Sequence, residues 1–316
     1  MLVAVAGIAA AVASGCATPL AWKLPQAAGA QIQNHVPVPR AMMIGAYAPG
    51  LPTDWSGIST FKASTGVSPK IVVYYSGWLE TFRASLAALA WRNGAYLLVQ
   101  LQPSNISLSR ITAGDYDDYL RAYARSVRAF GHPLILSFGH EMNGTWYTWA
   151  DGHESPAAFV AAWRHIVTIF RSEGALNATW LWTVNSTNVA SARLRPWWPG
   201  AAWVNWVGVD GYYYRPTDTF STVFGQTITD VEAITHDPVL ISEAAVGTTT
   251  DRGSQIKGMF AGARAAHVVG LVWFDEKQDD GIYHQDWRLE DDSAALAAFR
   301  SAAGTAGKAE DRDAEP

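Results

Sequence analysis

Residues 133–174 read PLILSFGHEMNGTWYTWADGHESPAAFVAAWRHIVTIFRSEG, a stretch that predicts one strand followed by one helix. The first six residues form a short apolar run of the kind found in buried β-strands. Ser155 and Pro156 then mark a helix start, because a serine N-cap followed by proline at the first helical position is a favoured combination. Apolar side chains recur at helical spacing until Gly174 ends the helix.

The same strand–helix unit recurs along the chain. Eight apolar runs alternate with helical stretches, and they cover residues 42–47, 71–76, 95–101, 133–138, 178–184, 204–209, 238–242 and 270–274. The runs are almost continuously apolar, which is typical of parallel strands covered on both faces. Residues 39–302 are therefore predicted to form a single α/β domain, a (β/α)8 TIM barrel. An open doubly wound sheet is the alternative, but no GxGxxG or GxxxxGK[ST] motif follows any run.

Composition narrows the classes of function. The chain has 316 residues, 49% hydrophobic and only 16% charged, with a net charge of −5. Without a basic excess, no nucleic-acid partner is expected. The 15 tryptophans are unusually many, and flat rings with a polar edge suit a carbohydrate ligand. We expect some of them in the core, among them Trp91, Trp163 and Trp180, and others at a sugar-binding surface.

The two ends of the chain differ from its centre. Residues 1–15 are apolar and end in small residues before Cys16, the only cysteine. Such a run is too short to cross a bilayer but suits a secretory signal. The segment resembles a bacterial lipoprotein signal, which predicts export and a membrane tether through Cys16; a buried N-terminal helix is the alternative. We expect a signal peptide over residues 1–16, a linker over 17–38 and a disordered tail over 303–316.

Two glutamates follow predicted strands. In a TIM barrel, functional residues lie at the C-terminal ends of the strands. Glu141 follows the fourth run and Glu243 follows the seventh, and aromatic residues accompany the ends of the fourth, sixth and eighth strands. Two carboxyl groups across an aromatic-lined pocket are typical of glycoside hydrolysis, in which one group is protonated and the other ionised. A single glutamate after a strand is more often a helix cap or ion-pair partner, but two at strand ends favour catalysis.

Other chemistries fit the sequence poorly. The zinc motif HExxH is absent, because the residues from His140 onward read HEMNG, and the eight histidines show no ligand spacing at a strand end. No GxSxG nucleophile elbow is present. We therefore expect neither a metal nor a cofactor. Three tryptophans near strand ends are expected at the surface of the site, namely Trp146, Trp149 and Trp273.

These segments resemble glycoside hydrolase family 26, the β-mannanase type. The resemblance rests on His140-Glu141-Met142-Asn143-Gly144-x-Trp146 with a following Trp149. It continues through residues 182–185, 206–212, 242–243, 272–274 and 286–288, so that it spans roughly residues 40–300. The histidine before the first glutamate is the feature that most sharply favours this family within its clan.

The resemblance implies hydrolysis of a β-linked polysaccharide with retention of configuration. It implies that Glu141 is the acid/base, that Glu243 is the nucleophile, and that Tyr212 hydrogen-bonds the nucleophile and helps to keep it ionised. The other implied substrate-site residues are His140, Trp146 and Trp273 beside the sugar at the cleaved bond, and Asn143, Trp149 and Asp210 around them.

The sequence leaves the substrate open. The resemblance favours β-1,4-mannan, whereas family members also act on β-1,3-xylan, mixed-linkage β-glucan or a cell's own exopolysaccharide. Residues 247–252 contain no aromatic residue for distal subsites. A second hypothesis is a non-catalytic, surface-tethered glycan-binding protein on the same barrel, and the presence of both glutamates argues against it. We expect a monomer whose partner is a polysaccharide or oligosaccharide.

Overall fold

Eight parallel strands form a closed barrel. The computed structural model describes residues 34–187, 192–278 and 284–306. In these ranges the strands pair in sequence order, and the last pairs with the first, which confirms the predicted (β/α)8 fold. The strands are β1 (Met43–Tyr47), β2 (Ile71–Gly77), β3 (Tyr96–Gln102), β4 (Leu134–Phe138), β5 (Ala178–Asn185), β6 (Trp206–Tyr213), β7 (Val239–Val246) and β8 (Gly270–Phe274).

Helices connect the strands. The one between β4 and β5 begins as predicted, since the Ser155 hydroxyl accepts a hydrogen bond from the Ala158 amide at 3.1 Å and Pro156 takes the first helical position. No helix in the described ranges is both long and apolar enough to span a membrane. The helices are α1 (Ser56–Thr65), α2 (Ala84–Arg92), α3 (Leu108–Thr112), α4 (Asp117–Phe130), α5 (Pro156–Ser172), α6 (Gln226–Glu232), α7 (Arg252–Ala265) and α8 (Ser293–Ala306).

The hydrophobic core has an inner and an outer part. Because side chains alternate across a strand, one set points into the barrel and the next points toward the helices. The inner apolar cluster includes Ile71, Leu98 and Trp206, and the outer cluster includes Phe61 and the large aromatics of α5. The inner cluster lies toward the strand starts, so the inward side chains nearer the strand ends are free to form a polar site.

Two segment boundaries differ from the prediction. Val36 was expected in a linker, but it is buried in the inner core and its amide donates to Thr179 Oγ1 at 2.8 Å. The predicted tail includes the last turn of α8, where Ala303 and Ala306 are buried. Alanines pack closely against a barrel, so the lack of large side chains does not prevent burial. The predicted signal peptide and Cys16 lie outside the described residues.

Strands β6 and β7 are longer than predicted. They continue four residues past the apolar runs, to Tyr213 and Val246. The pairing register shifts between Val209 and Asp210, and Asp210 then pairs with Glu243. Polar side chains interrupt the apolar pattern here, which is why the predicted apolar runs end before the strands do. The extensions carry Asp210, Tyr212 and Glu243 into the barrel mouth, the end of the barrel at which the strands terminate.

Candidate active site

Glu141 lies in a tight turn after β4. Its φ is +54°, and Gly139 has a φ of +56°, so the chain enters the left-handed region twice within three residues. A non-glycine residue in this region is uncommon, and such strain clusters at functional sites. Asn185 Nδ2 donates to Glu141 Oε1 at 2.5 Å, and Trp146 Nε1 donates to Oε2 at 2.8 Å. Both oxygens of this carboxyl group therefore accept N–H hydrogen bonds.

Trp146 is the exposed tryptophan of the site. Its side chain is 54% exposed although its N–H is bonded to Glu141, so the expected surface position of this ring is confirmed. The indole lies directly against the backbone of Gly144, where a Cβ would come within 2.4 Å of the ring. Only glycine leaves this space, so the sequence Gly144-x-Trp146 fixes the indole beside the carboxyl group.

Glu243 lies within β7, at a shift in register with β8. The Tyr212 hydroxyl donates to Glu243 Oε2 at 2.7 Å, which is the bond that the resemblance implied. The Tyr75 hydroxyl, from β2, donates to Oε1. Both oxygens of this carboxyl group therefore accept O–H hydrogen bonds from phenols. The sequence analysis missed Tyr75, although its inward position near the end of β2 was a signal that could have identified it.

Aromatic rings from four strands line the mouth around Glu243. Tyr75 and Tyr47 meet edge to face at 5.1 Å between centroids, and Tyr47 stacks on Phe274 at 4.7 Å. Phe274 in turn meets Tyr212 edge to face at 5.8 Å. The four rings come from β1, β2, β6 and β8 and form a continuous wall, which excludes water from one side of the carboxyl group.

Three buried carboxyl groups share the mouth. Burial raises the pKa of Glu141, and burial together with the charge of Glu141 raises the pKa of Glu243. The pKa of Asp210 lies well above its usual range because it is buried beside both glutamates, although Ser242 Oγ donates to its Oδ1 at 2.5 Å. Like charges in one site oppose each other's ionisation, so this arrangement favours the retention of a proton in the mouth. Acid/base chemistry requires such a proton.

His140 is a neutral side chain in the same mouth. Burial lowers the pKa of His140 to about 3. Its Nε2 lies 3.1 Å from the Tyr147 hydroxyl, and its ring lies 5.7 Å from that of Tyr75. Its Nδ1 is buried and has no hydrogen-bond partner among the described residues. A ligand hydroxyl at this nitrogen would satisfy it.

Asn143 stands behind the carboxyl groups. Its side-chain amide donates to the Asn185 carbonyl at 2.9 Å, and its Oδ1 accepts the Asn185 amide at 2.9 Å. These two bonds join the turn after β4 to the end of β5. They hold Asn185 where its side chain reaches Glu141, so Asn143 acts through Asn185.

The predicted surface position of Trp273 is wrong. The side chain is fully buried, its Nε1 donates to the Trp287 carbonyl at 3.1 Å, and its ring packs against Phe299 of α8. Strand alternation explains the difference, because the next residue, Phe274, takes the inward position. The aromatic side chain that β8 contributes to the mouth is therefore Phe274.

Two further tryptophan predictions are wrong, in opposite directions. Trp149 was expected at the surface, but it is buried and its Nε1 donates to the His140 carbonyl at 2.8 Å, which supports the turn after β4. Trp91 was expected in the core, but it is 38% exposed. Trp163 and Trp180 are buried as predicted.

The site is built from acid/base side chains and hydrogen-bond donors. In the described part of the chain, no group of three or more histidine, cysteine or acidic side chains is arranged to hold a metal ion. The mouth brings together six of the predicted site residues, namely Glu141, Glu243, Asp210, Tyr212, His140 and Trp146, with Asn143 behind them and Trp149 and Trp273 in the packed layers.

Sequence comparisons find relatives that act on different polysaccharides. The family model for glycosyl hydrolase family 26 matches residues 115–302. Endoglucanase H of Acetivibrio thermocellus is 30% identical over 280 residues, which cover 83% of this chain and 30% of that protein. Mannan endo-1,4-beta-mannosidase A and B of Caldalkalibacillus mannanilyticus is 35% identical over 169 residues, which cover 49% of this chain and 33% of that protein. The chain thus spans about a third of the length of these curated relatives.

Solved structures share the barrel. The Cellulomonas fimi endo-beta-1,4-mannanase double mutant matches with a TM-score of 0.66 at 17% sequence identity. The match covers 85% of this chain and 72% of that one. At this level of identity the likeness demonstrates the fold, an eight-stranded barrel surrounded by helices.

Proposed function

This chain belongs to glycosyl hydrolase family 26, and from that premise we propose that it is a retaining endo-glycoside hydrolase with Glu141 as acid/base and Glu243 as nucleophile. The observation that carries the proposal is the pair of buried carboxyl groups in one mouth. One accepts N–H bonds beside an exposed indole, and the other accepts two phenol O–H bonds inside an aromatic wall.

The reaction proceeds by two displacements. In the first, a carboxylate oxygen of Glu243 bonds to the anomeric carbon while the bond to the leaving oxygen breaks, and Glu141 gives its proton to that oxygen. In the second, water attacks the anomeric carbon of the covalent glycosyl-enzyme. Glu141 takes a proton from that water, Glu243 leaves as a carboxylate, and the site returns to its starting state.

The surroundings of each carboxyl group suit its role. Tyr75 and Tyr212 each donate to one oxygen of Glu243, which favours the ionised form that attacks. Burial favours the protonated form of both groups, but once Glu141 is protonated, as the first step needs, its charge no longer raises the pKa of Glu243. Trp146 and Asn185 hold the Glu141 carboxyl group in one orientation, which suits a group that acts in both steps.

We propose β-1,4-mannan as the preferred substrate. The curated relatives carry the names of an endoglucanase and of a mannan endo-1,4-beta-mannosidase, so family membership leaves the sugar open. The alternatives are β-1,3-xylan, mixed-linkage β-glucan and an endogenous exopolysaccharide.

The test is digestion of a polysaccharide panel by the purified chain. The panel contains mannan, glucomannan, lichenan and β-1,3-xylan, and the products are separated by size. We expect oligosaccharides of mixed lengths early in the digestion of mannan, and NMR of the first product should show the β anomer. An α anomer would contradict retention. Tight binding without new reducing ends would instead indicate a non-catalytic glycan-binding protein.

We also propose that the chain acts outside the cell as a monomer. The support is the apolar run before Cys16 in the sequence. Expression in a bacterium, followed by cell fractionation and mass measurement of the mature N-terminus, tests export and lipidation. An unprocessed protein in the cytoplasm would contradict the proposal, and light scattering would test the oligomeric state.

A further inference from the structure

We propose that the end of the barrel opposite the mouth carries a second, non-catalytic glycan site, which binds an acidic polysaccharide. The site is a groove beside α1 that continues across the loops leading into β1, β2 and β3. We call it the basal groove, and its key side chains are Lys62, Lys70, Trp91 and Tyr96. The groove lies at the strand starts, whereas the carboxyl groups of the mouth lie at the strand ends, so this site is separate from the proposed active site.

The basal groove consists of two adjacent cavities. The larger has a volume of about 540 Å³, and Lys70 and Tyr96 are among the residues that line it. The smaller has a volume of about 350 Å³, lies between α1 and the end of α2, and is lined in part by Lys62. Ser68 and Ala95 line both cavities, which makes the two continuous along the surface. Both volumes fall within the range of roughly 300–1,000 Å³ that ligand sites occupy.

Trp91 provides a flat ring in the wall of the larger cavity. It is the tryptophan that was expected in the core but is 38% exposed. Its indole stacks on the ring of His132, with 4.4 Å between centroids and the planes 13° apart, and it lies 6.1 Å from the ring of Tyr96. These contacts fix the plane of an exposed aromatic ring. Such a ring offers an apolar surface to the C–H face of a pyranose.

Two exposed lysines give the groove a positive charge, with Lys70 in the larger cavity and Lys62 in the smaller. The backbone of Lys70 is held on both sides, because its amide donates to the Ile44 carbonyl at 2.7 Å and its carbonyl accepts from the Tyr96 amide at 2.9 Å. Its ammonium lies 4.0 Å from where a Cβ on Gly94 would be. Within the described ranges, no aspartate or glutamate lines either cavity. The groove is therefore complementary to carboxylate groups on a ligand.

The shape of the groove favours a polysaccharide over other acidic partners. A nucleic acid needs a broad basic surface for its phosphates, but the chain has a net charge of −5. A membrane surface is flat, whereas both cavities are concave. An extended peptide commonly pairs with a free strand edge, and the eight described strands form a closed barrel. A chain of acidic pyranoses combines ring faces for Trp91 with carboxylates for Lys62 and Lys70.

The two ends of the barrel therefore differ in the sugars that they favour. The mouth holds the carboxyl groups of Glu141, Asp210 and Glu243, and a further negative charge there is unfavourable. The basal groove attracts the same charge. An acidic polysaccharide bound in the groove leaves the mouth open to a neutral substrate, so the groove holds the chain on an acidic polymer without blocking the proposed reaction.

The first test measures the binding of a short oligomer of β-1,4-linked mannuronic acid to the full-length chain by titration calorimetry. The methyl ester of the same oligomer is the matched neutral control, because it keeps the backbone and removes the charges. We expect the acid to bind at least about tenfold more tightly than the ester, and to bind more weakly as NaCl rises from about 20 to about 500 mM. Equal binding of acid and ester, or no binding of the acid, would overturn the proposal.

The second test locates the site with variants. Lys62→Gln and Lys70→Gln should each weaken binding of the acid about threefold to fivefold, and Trp91→Ala about tenfold. Lys70→Arg keeps the charge and should bind within about twofold of wild type. Lys257→Gln is the matched control, because Lys257 is exposed on α7. If the control lost as much affinity as the groove variants, or if the groove variants lost none, the basal groove would not be the site.

Activity assays distinguish failure of this proposal from failure of the proposed function. The groove variants should cleave the preferred neutral polysaccharide with kcat/KM within about twofold of wild type, and the acid oligomer should not inhibit that cleavage. Competitive inhibition would assign the oligomer to the mouth and overturn the basal groove. If the wild-type chain cleaves no polysaccharide, the proposed function is overturned while the binding comparison still decides this proposal, with thermal unfolding as the control for folding.

The same variants examine two other occupants of the groove. Sedimentation with phosphatidylglycerol vesicles tests a membrane, and light scattering tests a second copy of the chain. If Lys70→Gln released the chain from the vesicles, or converted a dimer to a monomer, while the acid oligomer failed to bind the wild-type chain, the groove would serve that other partner and the proposal would be overturned.

Discussion

The turn after β4 and the strand β7 both present a carboxyl group to the same mouth, but they surround it differently. Glu141 lies outside the sheet and has a left-handed backbone conformation. Its carboxyl group accepts two N–H hydrogen bonds and lies beside the exposed Trp146. Glu243 sits within a strand, accepts two phenol bonds and lies inside the aromatic wall. One residue type thus lies in two different surroundings, which is the arrangement that the two proposed roles require.

The difference in solvent access between Glu141 and Glu243 matches the difference between their proposed roles. A group that exchanges protons with a leaving sugar and then with water needs an open side, and the half-exposed Trp146 marks that side for Glu141. A group that forms a bond to carbon needs a fixed position and a charge that its donors stabilise. The hydroxyls of Tyr75 and Tyr212 provide both for Glu243.

Removal of the proposed nucleophile should have the largest effect. Glu243→Ala is expected to lower kcat on the preferred polysaccharide on the order of 100,000-fold, because the proposed covalent intermediate then lacks its carboxylate. This variant should cleave dinitrophenyl glycosides as poorly as the polysaccharide, since a better leaving group does not replace the carboxylate that attacks the anomeric carbon. Added azide should restore turnover by attacking from the vacated side and yield an α-glycosyl azide. Residual activity above about one per cent would contradict this role.

Removal of the proposed acid/base should have a smaller effect that depends on the substrate. Glu141→Ala is expected to lower kcat on the polysaccharide on the order of 1,000-fold. The first step with a dinitrophenyl glycoside should change little, because this leaving group departs without a proton. Azide should accelerate the second step and yield a β-glycosyl azide. If the β azide came from Glu243→Ala and the α azide from Glu141→Ala, the two roles would have to be exchanged.

The left-handed turn should be sensitive to a single methyl group. At Gly139, a Cβ would lie 3.0 Å from Phe159 and 3.1 Å from Trp149, at a φ of +56°. Gly66, at the end of α1, has a φ of +73° and nothing within 4 Å of such a Cβ. Both alanine variants incur the left-handed cost of about 1–2 kcal/mol. Gly139→Ala should lose about 1–3 kcal/mol more in urea unfolding because of overpacking. Equal losses would show that the turn can relax.

The sequence allowed the barrel to be predicted, and both glutamates to be placed in its mouth, for a physical reason. Parallel strands buried on both faces must be apolar throughout, so the eight runs stood out. The predicted strands ended too early where inward residues become polar, as along the extension of β6 that carries Asp210 and Tyr212 and the extension of β7 that carries Glu243. A shift of one position also reverses the face of a strand, which is why Trp273 was expected in the mouth instead of Phe274.

The contacts of Glu243 could not be predicted from neighbouring residues. Tyr75 lies 168 positions away in the chain and reaches Glu243 only because the barrel closes. The stagger between strands determines which inward residues of β1, β2 and β8 lie at the same height in the barrel as those of β7. Single apolar runs in the sequence do not reveal this stagger. The wall that contains Tyr47 and Phe274 therefore emerged only from the assembled structure.

The smallest expected effect is a shift in the pH dependence of activity, and it distinguishes the proposed roles of the two carboxyl groups. Tyr75→Phe removes a donor from Glu243, and Trp146→Phe removes one from Glu141. Each change destabilises the ionised form and should raise the pKa of its carboxyl group by about one unit. In a plot of kcat/KM against pH, the acidic limb reports the group that must be ionised and the alkaline limb the group that must be protonated.

The same direction of pKa change should therefore have opposite consequences for the profile. A higher pKa for Glu243 moves the acidic limb to higher pH and narrows the active range. A higher pKa for Glu141 moves the alkaline limb to higher pH and widens it. Dinitrophenyl glycosides provide the control, because their first step needs no proton and should lose the alkaline limb in all variants. If Trp146→Phe narrowed the range, or Tyr75→Phe widened it, the indole and phenol bonds would be serving the opposite carboxyl roles.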